Sequence, residues 1–181
     1  TNEDGVGEIY VKGPNIMLGY YNDEEKTKEA FDEDGYFKTG DYGYLDEDGF
    51  LFLTGRKNDI IVLRNGKNVY PDEIEALINK LPYVKESLVF ARNNTKTDTL
   101  LAAKIVYDKD EYEKLHGEIT GHTAMDKVVM EDIKNDVDSK LADYKHIKRV
   151  ILTTEEMEKT TTSKIKRNIE LQKIYKMKSL K

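Results

Sequence analysis

The tetrapeptide Asp-Glu-Asp-Gly occurs twice, at 32–35 and 46–49, and it limits what the first third of the chain can form. An Asp-Gly step favours tight turns in which the glycine has a positive φ, and apolar residues flank the two copies at strand spacing. We therefore predict that residues 7–55 are β-structure with tight turns, interrupted by a short charged helix at 22–31. A calcium loop would need more ligands at fixed positions and a closing glutamate, so repeated hairpin turns are the better interpretation.

The polar run at 55–59 separates two parts of the chain. After it, Asn-Gly at 65–66 is a turn signal, and Pro71 suits the first position of a helix with acidic residues in its first turn. We therefore predict an α+β fold in which a β-rich segment, 1–55, precedes a small α+β domain, 56–181. The later elements of that domain are predicted as strands at 87–91, 100–107 and 149–152 and helices at 126–141 and 163–176, the last of them basic.

The composition excludes several classes of protein. A formal net charge of -6 disfavours nonspecific binding to nucleic acid. The chain has no cysteine, so it cannot form a disulfide framework, a cysteine zinc site or a thiol nucleophile. No apolar run approaches the roughly 20 residues that span a bilayer, and we expect a cytoplasmic protein. The histidines at 116, 122 and 146 are expected to be surface or partly buried residues rather than metal ligands.

Three short segments contain residues with candidate chemistry. In Gly-Tyr-Phe-Lys-Thr-Gly-Asp at 35–41, Asp41 could accept two hydrogen bonds from a ribose diol, or it could cap its own turn. Arg56 could bind a phosphate oxygen through its fork of donors, or it could belong to a surface hairpin before a capped helix. In Lys-Thr-Thr-Thr-Ser-Lys-Ile-Lys-Arg at 159–167, Lys164 could reach a carboxylate and a phosphate at once, or it could belong to a solvated basic loop.

These segments, in this order and at these spacings, resemble the later core motifs of the superfamily of acyl-CoA synthetases, luciferases and peptide-synthetase adenylation domains. Gly-Glu-Ile-Tyr-Val-Lys-Gly at 7–13 and Gly-Tyr-Tyr at 19–21 also fit, so the resemblance covers nearly the whole chain. Asn-Gly-Lys-Asn-Val-Tyr-Pro at 65–71 is similar to the long-chain fatty acyl-CoA ligase branch. The resemblance implies that 1–55 ends a large AMP-binding domain and that 56–181 is a small mobile C-terminal domain.

The resemblance also implies a reaction and a set of site residues. Such enzymes join a carboxylic acid to the α-phosphate of ATP, release pyrophosphate and transfer the acyl group from AMP to coenzyme A, with Mg²⁺ as a cofactor. Lys164 matches the catalytic lysine of adenylation, whose contribution is electrostatic. The other matches are Asp41, Arg56, Tyr36 and Thr39 for nucleotide binding, Asn58 for the hinge of a domain rotation, and Asn65, Gly66 and Lys67 for the tunnel that admits coenzyme A; no residue matches a metal ligand.

Three residues depart from the family pattern. Asn58 stands where the hinge residue is usually Asp or Lys, Glu158 replaces the usual proline before the lysine motif, and Ser163 replaces the usual glycine before the catalytic lysine. The family's phosphate-binding loop, acyl pocket and magnesium-binding glutamate have no counterpart in this sequence. We therefore expect the chain to be part of a longer protein, to need a missing N-terminal domain as its partner, and to be inactive alone.

Other functions fit parts of the pattern. Within the same fold, the protein could be an aryl or medium-chain acyl-CoA ligase, or an adenylation domain that loads a carrier protein. A non-catalytic module of the same fold is a second alternative, because fold alone does not determine function. A nucleic-acid-binding module built on the basic C-terminal helix is disfavoured, since no aromatic residues interleave with its cations. Peripheral membrane association is compatible with an enzyme that acts on fatty acids.

Overall fold

The computed structural model describes residues 5–93 and 99–178. The chain divides into two compact units, Thr1–Ile60 and Ile61–Lys181, a few residues after the predicted boundary at 55–56. Within the described ranges, no helix is both long enough and apolar enough to span a bilayer.

The first unit is an antiparallel sheet with one short helix. Strands β1 (Gly7–Val11), β2 (Phe37–Leu45) and β3 (Leu51–Arg56) pair in the order β1-β2-β3. Helix α1 (Glu24–Ala30) connects β1 to β2, and the Asp23 side chain caps it by accepting the Lys26 N–H. The predicted β-structure and short charged helix are confirmed.

The two Asp-Glu-Asp-Gly segments form the same turn. Asp46 N–H donates to Phe50 O at 3.0 Å, Gly49 N–H donates to Asp46 O at 3.0 Å, and Gly49 has a φ of 83°. Asp32 and Gly35 repeat this pattern, with a φ of 79° at the glycine. The first aspartate also accepts backbone N–H groups through its side chain, so each is a turn residue. This confirms the hairpin interpretation.

Apolar side chains of the first unit lie mostly on its surface. Among its described residues, Val6 is the only large apolar side chain that is buried. The rings of Tyr44 and Phe52 stack with their centroids 5.4 Å apart, and both are exposed. The exposed apolar residues of β2, β3 and their connection are Tyr44, Leu45, Phe50, Leu51, Phe52 and Leu53.

The second unit is a small α+β domain. It begins with the hairpin β4 (Ile61–Val62) and β5 (Asn68–Val69), followed by α2 (Pro71–Ile78). Its sheet has the order β6-β7-β8, with β6 antiparallel and β8 parallel to the central strand. The parallel connection carries two helices. The elements are β6 (Val84–Asn93), β7 (Thr99–Tyr107), α3 (Lys109–His116), α4 (His122–Asp136), β8 (Ile147–Thr153) and α5 (Arg167–Lys178).

Each face of this sheet packs against helices. Ala103 and Ile105 of β7 belong to a core that includes α2 and α4, whereas Ala102 and Val106 face the second core, which includes Ile174 of α5. The alternation follows from the two-residue period of a strand. By the same period, the residue between Ala102 and Val106 at position 104 points toward α5.

Three helices differ from the prediction. Helix α3 was not predicted, because only its Tyr112 is buried and the segment has no apolar stripe. Helix α4 begins and ends several residues earlier than predicted. The basic helix begins at Arg167, not at 163, because Ser163 has a φ of 61°, which is incompatible with a right-handed helix.

Candidate functional site

Asp41 and Arg56, predicted for one nucleotide site, are direct partners across β2 and β3. Arg56 Nε lies 3.2 Å from Asp41 Oδ1. The aspartate is about a quarter exposed, and the arginine more than half exposed. The sheet register therefore presents a carboxylate and a guanidinium side by side at the surface, where both can reach a ligand.

Thr39 supports this pair from within β2, two residues before Asp41. Its hydroxyl donates to Ile9 O at 2.8 Å and accepts the Asp41 N–H at 3.1 Å. The hydroxyl is thus used within the sheet, where it fixes the backbone of Asp41. Tyr36 lies just before β2 and is partly exposed, with Lys12 Nζ 5.2 Å from its ring centroid.

Asn58, the predicted hinge residue, lies in a single 3-10 turn, Lys57–Asp59, and is exposed. The turn follows β3 directly and precedes the division between the units at Ile60. Its neighbour Lys57 bonds Glu8 at 2.7 Å, and this hydrogen bond raises the pKa of the lysine. Through Lys57, the turn is therefore bound to Glu8 of the first unit.

Asn65, Gly66 and Lys67 form the tip of the β4–β5 hairpin. Gly66 N–H donates to Leu63 O at 2.9 Å, and Gly66 has a φ of 80°. Asn65 Oδ1 accepts the Lys67 N–H at 3.1 Å, which closes the turn. Lys67 Nζ lies 4.4 Å from the centroid of the Tyr144 ring, so a cation–π contact orients its side chain.

Lys164 lies on a hairpin that we call the lysine hairpin, residues 158–166. Its turn has the geometry of the Asp-Gly turns: Ser163 N–H donates to Thr160 O at 3.0 Å, and Thr160 N–H donates to Lys164 O at 2.7 Å. Lys166 N–H donates to Glu158 O at 2.8 Å at the base. Lys164 is thus the first residue after a closed turn, on a defined backbone.

The cation of Lys164 differs from those of Lys159 and Lys173. It is exposed, and in the part of the chain that the structure describes its ammonium has no ion-pair partner. In contrast, Lys159 pairs with Glu86, and Lys173 pairs with Glu158 at 2.8 Å. An exposed cation without a counter-ion can stabilise negative charge on a ligand.

A buried network below the lysine hairpin was missed from the sequence. Glu170 of α5 is fully buried and binds Lys104 of β7 at 2.5 Å and Lys173 at 2.9 Å. The only sequence signal is that Glu170 lies four residues before Ile174, which places both on the buried face of α5. A charged residue at such a position needs a partner, and the sequence does not identify it.

The histidines and carboxylates do not form a metal centre in 5–93 or 99–178, where no group of three or more could hold an ion. His116 Nε2 lies 3.0 Å from Asp132 Oδ2, and the same oxygen accepts the Tyr83 hydroxyl at 2.8 Å. His146 Nε2 lies 3.2 Å from Leu141 O. These two histidines therefore contact nearby structure of their own unit.

Comparison with known proteins identifies the family. A family model described as the AMP-binding enzyme C-terminal domain matches residues 73–164. This range covers most of α2, the three-stranded sheet, α3, α4 and the lysine hairpin as far as Lys164. It is slightly more than half of the chain.

Individual relatives agree with this family. A 2-succinylbenzoate–CoA ligase from Listeria innocua is 39% identical over 162 residues, which are 90% of this chain and 30% of the relative. A long-chain-fatty-acid–CoA ligase from Bos taurus is 42% identical over 116 residues, 62% of this chain and 16% of the relative. The crystal structure of ATP-bound MatB from Rhodopseudomonas palustris has a TM-score of 0.71 and 34% identity, covering 94% of this chain and 30% of that chain.

These matches agree with the α+β fold and with the motifs that indicated adenylate-forming enzymes. The chain spans about a third or less of the length of the relatives it matches. The chain belongs to the family of AMP-binding enzyme C-terminal domains.

Proposed function

We propose that this chain is the C-terminal part of an ATP-dependent acid–CoA ligase, with a missing N-terminal domain of the same protein as its partner. The observation that carries the proposal is Lys164, a cation on a closed hairpin turn that has no counter-ion among the described residues. The relatives support the reaction class, since two are CoA ligases and a third structure contains ATP.

In the first half-reaction, a carboxylate oxygen of the acid attacks the α-phosphorus of ATP, and pyrophosphate leaves. Negative charge on the α-phosphoryl oxygens increases in the transition state. We assign to Lys164 the contact with these oxygens and with the acid, because its ammonium can contact a ligand without first breaking an ion pair. Removing one preorganised donor of this kind typically lowers the rate by about 100- to 1000-fold.

The nucleotide would be bound by Asp41 and Arg56. Asp41 can accept hydrogen bonds from the two ribose hydroxyls through its carboxylate oxygens. Arg56 uses Nε for Asp41, so we assign its terminal nitrogens to a phosphate oxygen. Thr39 would act through Asp41, and Tyr36 would flank the nucleotide.

In the second half-reaction, the coenzyme A thiol attacks the acyl carbonyl, AMP leaves, and a thioester forms. The β4–β5 hairpin tip is suited to line a narrow tunnel, because Gly66 has no side chain and a Cβ there would meet nothing within 4 Å. Asn65 and Lys67 would line the same tunnel. Asn58 would absorb the backbone rotation between the half-reactions, since a short polar side chain tolerates several backbone conformations.

Mg²⁺ accompanies ATP in phosphoryl chemistry, where it neutralises the phosphate oxygens. The described residues of this chain include no cluster that would hold the ion by itself. We therefore assign its ligands to the ATP phosphates and to residues outside this chain.

For the acid, we propose a long-chain fatty acid, on the basis of the similarity of residues 65–71 to that branch and of the Bos taurus relative. An aromatic acid is the second candidate. It is favoured by the greater coverage of the 2-succinylbenzoate ligase, which aligns with 90% of the chain against 62%.

The test uses the full-length protein that contains this chain. Pyrophosphate exchange and thioester formation are measured with fatty acids of graded length and with aromatic acids, for the parent, Lys164→Ala and Lys166→Ala. Lys166 is the matched control, because it is also exposed and lies two residues away. We expect Lys164→Ala to lose adenylation by about 100-fold or more, and Lys166→Ala to stay near the parent.

The proposal would be wrong if Lys164→Ala catalysed pyrophosphate exchange at the parent rate. It would also be wrong if the full-length protein formed no thioester with any acid. We also expect the 181-residue chain alone to give no exchange signal. The cytoplasmic location and any peripheral membrane association remain proposals, which cell fractionation and sedimentation with lipid vesicles would test.

A further inference from the structure

Glu170 is the most enclosed ionic group among the described residues. Its carboxylate is fully buried and accepts three donors: Lys104 Nζ at 2.5 Å, Lys173 Nζ at 2.9 Å and the Glu158 N–H at 3.1 Å. Burial alone would raise its pKa, but the three donors outweigh burial and lower the pKa to about 2. The group is therefore ionised at neutral pH.

One of these donors belongs to the lysine hairpin. Glu158 is at the base of that hairpin, where its carbonyl accepts the Lys166 N–H at 2.8 Å. Its own carboxylate pairs with Lys173 at 2.8 Å. The base of the hairpin is therefore attached to α5 through both its backbone and its side chain.

This attachment depends on a departure from the family pattern. The family usually has proline where this chain has Glu158, and proline has no N–H to donate. In this chain the N–H is present, and Glu170 accepts it. Because Lys104 anchors Glu170 to β7, the hairpin base is connected to the central strand of the sheet.

We propose that Glu170 is a positioning residue for Lys164: it fixes the base of the lysine hairpin through the Glu158 N–H and so sets where the ammonium lies. The inference rests on the function proposed above. Glu170 does not touch the ammonium, and its effect passes through the hairpin backbone. An active-site group must be held within about 0.5 Å, and a displacement of about 1 Å can cost on the order of 100-fold in rate.

Two double variants of the full-length protein separate positioning from packing. Lys104→Met with Glu170→Leu replaces the buried ion pair with apolar side chains of similar size, a change that folded proteins often tolerate. Lys104→Met with Glu170→Gln also removes the ion pair, but the glutamine Oε1 can still accept the Glu158 N–H. The two double variants therefore differ in whether the side chain at position 170 can accept the Glu158 N–H.

We expect the leucine variant to lose about 10- to 100-fold in kcat for pyrophosphate exchange, and the glutamine variant to stay within about threefold of the parent. Transfer from preformed acyl adenylate to coenzyme A should be unchanged in both, because Lys164 is assigned to adenylation only. Hydrogen exchange over 158–166 should be faster in the leucine variant alone.

Parent-like adenylation in the leucine variant would overturn the inference, as would an equal loss in both half-reactions, which indicates general damage. Unchanged hydrogen exchange over 158–166 would overturn it as well. If the parent itself does not adenylate any acid, the proposed function fails. The hydrogen-exchange measurement over 158–166 still decides whether Glu170 holds the hairpin.

Discussion

Arg167 holds Glu75 across the domain. Arg167 Nη1 lies 2.8 and 3.0 Å from the two carboxylate oxygens, and its Nη2 donates to Val89 O at 2.8 Å. Glu75 in turn accepts the Val89 N–H at 2.6 Å. The first residue of α5, the middle of α2 and strand β6 are thus joined in one closed set of hydrogen bonds, just after the lysine hairpin.

Substituting Arg167 should destabilise the protein strongly. In Arg167→Met, Glu75 would keep a buried charge without this cation, and we expect a loss of about 3–5 kcal/mol in the free energy of unfolding. Burial already raises the pKa of Glu75, although Arg167 opposes the shift. Because the pKa of Glu75 is raised, its carboxylate is more fully ionised at pH 7 than at pH 5. The loss of unfolding free energy caused by Arg167→Met should therefore be larger at pH 7 than at pH 5.

Denaturant unfolding of parent and variant at the two pH values measures this difference. Arg149→Met is the control, because Arg149 is exposed on β8. A deficit that does not change with pH would contradict the assignment to Glu75.

Glu170 should make the protein sensitive to acid. Its folded pKa of about 2 lies below the ordinary value of 4.5. A lowered pKa gives stability that is complete above pH 4.5 and is lost as the pH falls toward 2. The shift corresponds to about 3 kcal/mol.

The measurement is the free energy of unfolding between pH 5 and pH 2.5, for the parent and for the Lys104→Met, Glu170→Gln double variant. The double variant should have a flatter profile over this range. Parallel profiles would mean that other carboxylates carry the acid sensitivity.

Replacing Ser163 with glycine should stabilise the protein. Four turns among residues 5–93 and 99–178 share one backbone geometry, and the residue with positive φ is Gly35, Gly49 or Gly66 in three of them and Ser163 in the fourth. A left-handed residue with a side chain costs roughly 1–2 kcal/mol. Ser163→Gly should therefore stabilise the protein by up to about 1 kcal/mol, after the entropy of the unfolded glycine is subtracted.

The reverse change, Gly66→Ser, is the matched control and should destabilise by a similar amount, because a Cβ at Gly66 meets no atom within 4 Å and only backbone strain is added. Thermal unfolding of both variants measures the shifts. Destabilisation by Ser163→Gly would contradict the prediction. It would mean that the serine side chain stabilises the protein by more than its backbone strain costs.

Thr39 should affect nucleotide binding only through its hydroxyl. Thr39→Val leaves Ile9 O and the Asp41 N–H without their partner, and we expect the KM for ATP in the full-length protein to rise by about 5- to 30-fold, as for loss of about 1–2 kcal/mol. Thr39→Ser keeps the hydroxyl and should stay close to the parent. Equal behaviour of the two variants would mean that the methyl group, not the hydroxyl, matters.

Much of this fold could be predicted from the sequence because its signals are local. The Asp-Gly turns, the Pro71 helix start and the alternation of β7 depend on residues next to one another. Asp41 and Arg56 were assigned to one nucleotide site by resemblance to the family, and the sheet register places them together. Whether they and Lys164 act as proposed stays a prediction.

The ionic network could not be predicted, for a physical reason. A lysine in a strand and a glutamate in a helix ordinarily face solvent, and these two are separated by 66 positions. Only the packing of α5 on the sheet brings them together. The later start of α5 was missed similarly, because serine gives no signal that its φ will be positive.

The parallel pairing of β8 with β7 has a consequence for how the site is assembled. A parallel pair needs a long crossover, here one that contains α3 and α4, and contacts between distant positions form slowly during folding. The lysine hairpin follows β8, and its anchor on α5 follows the hairpin. We therefore expect the geometry around Lys164 to become native only after β8 has paired with β7.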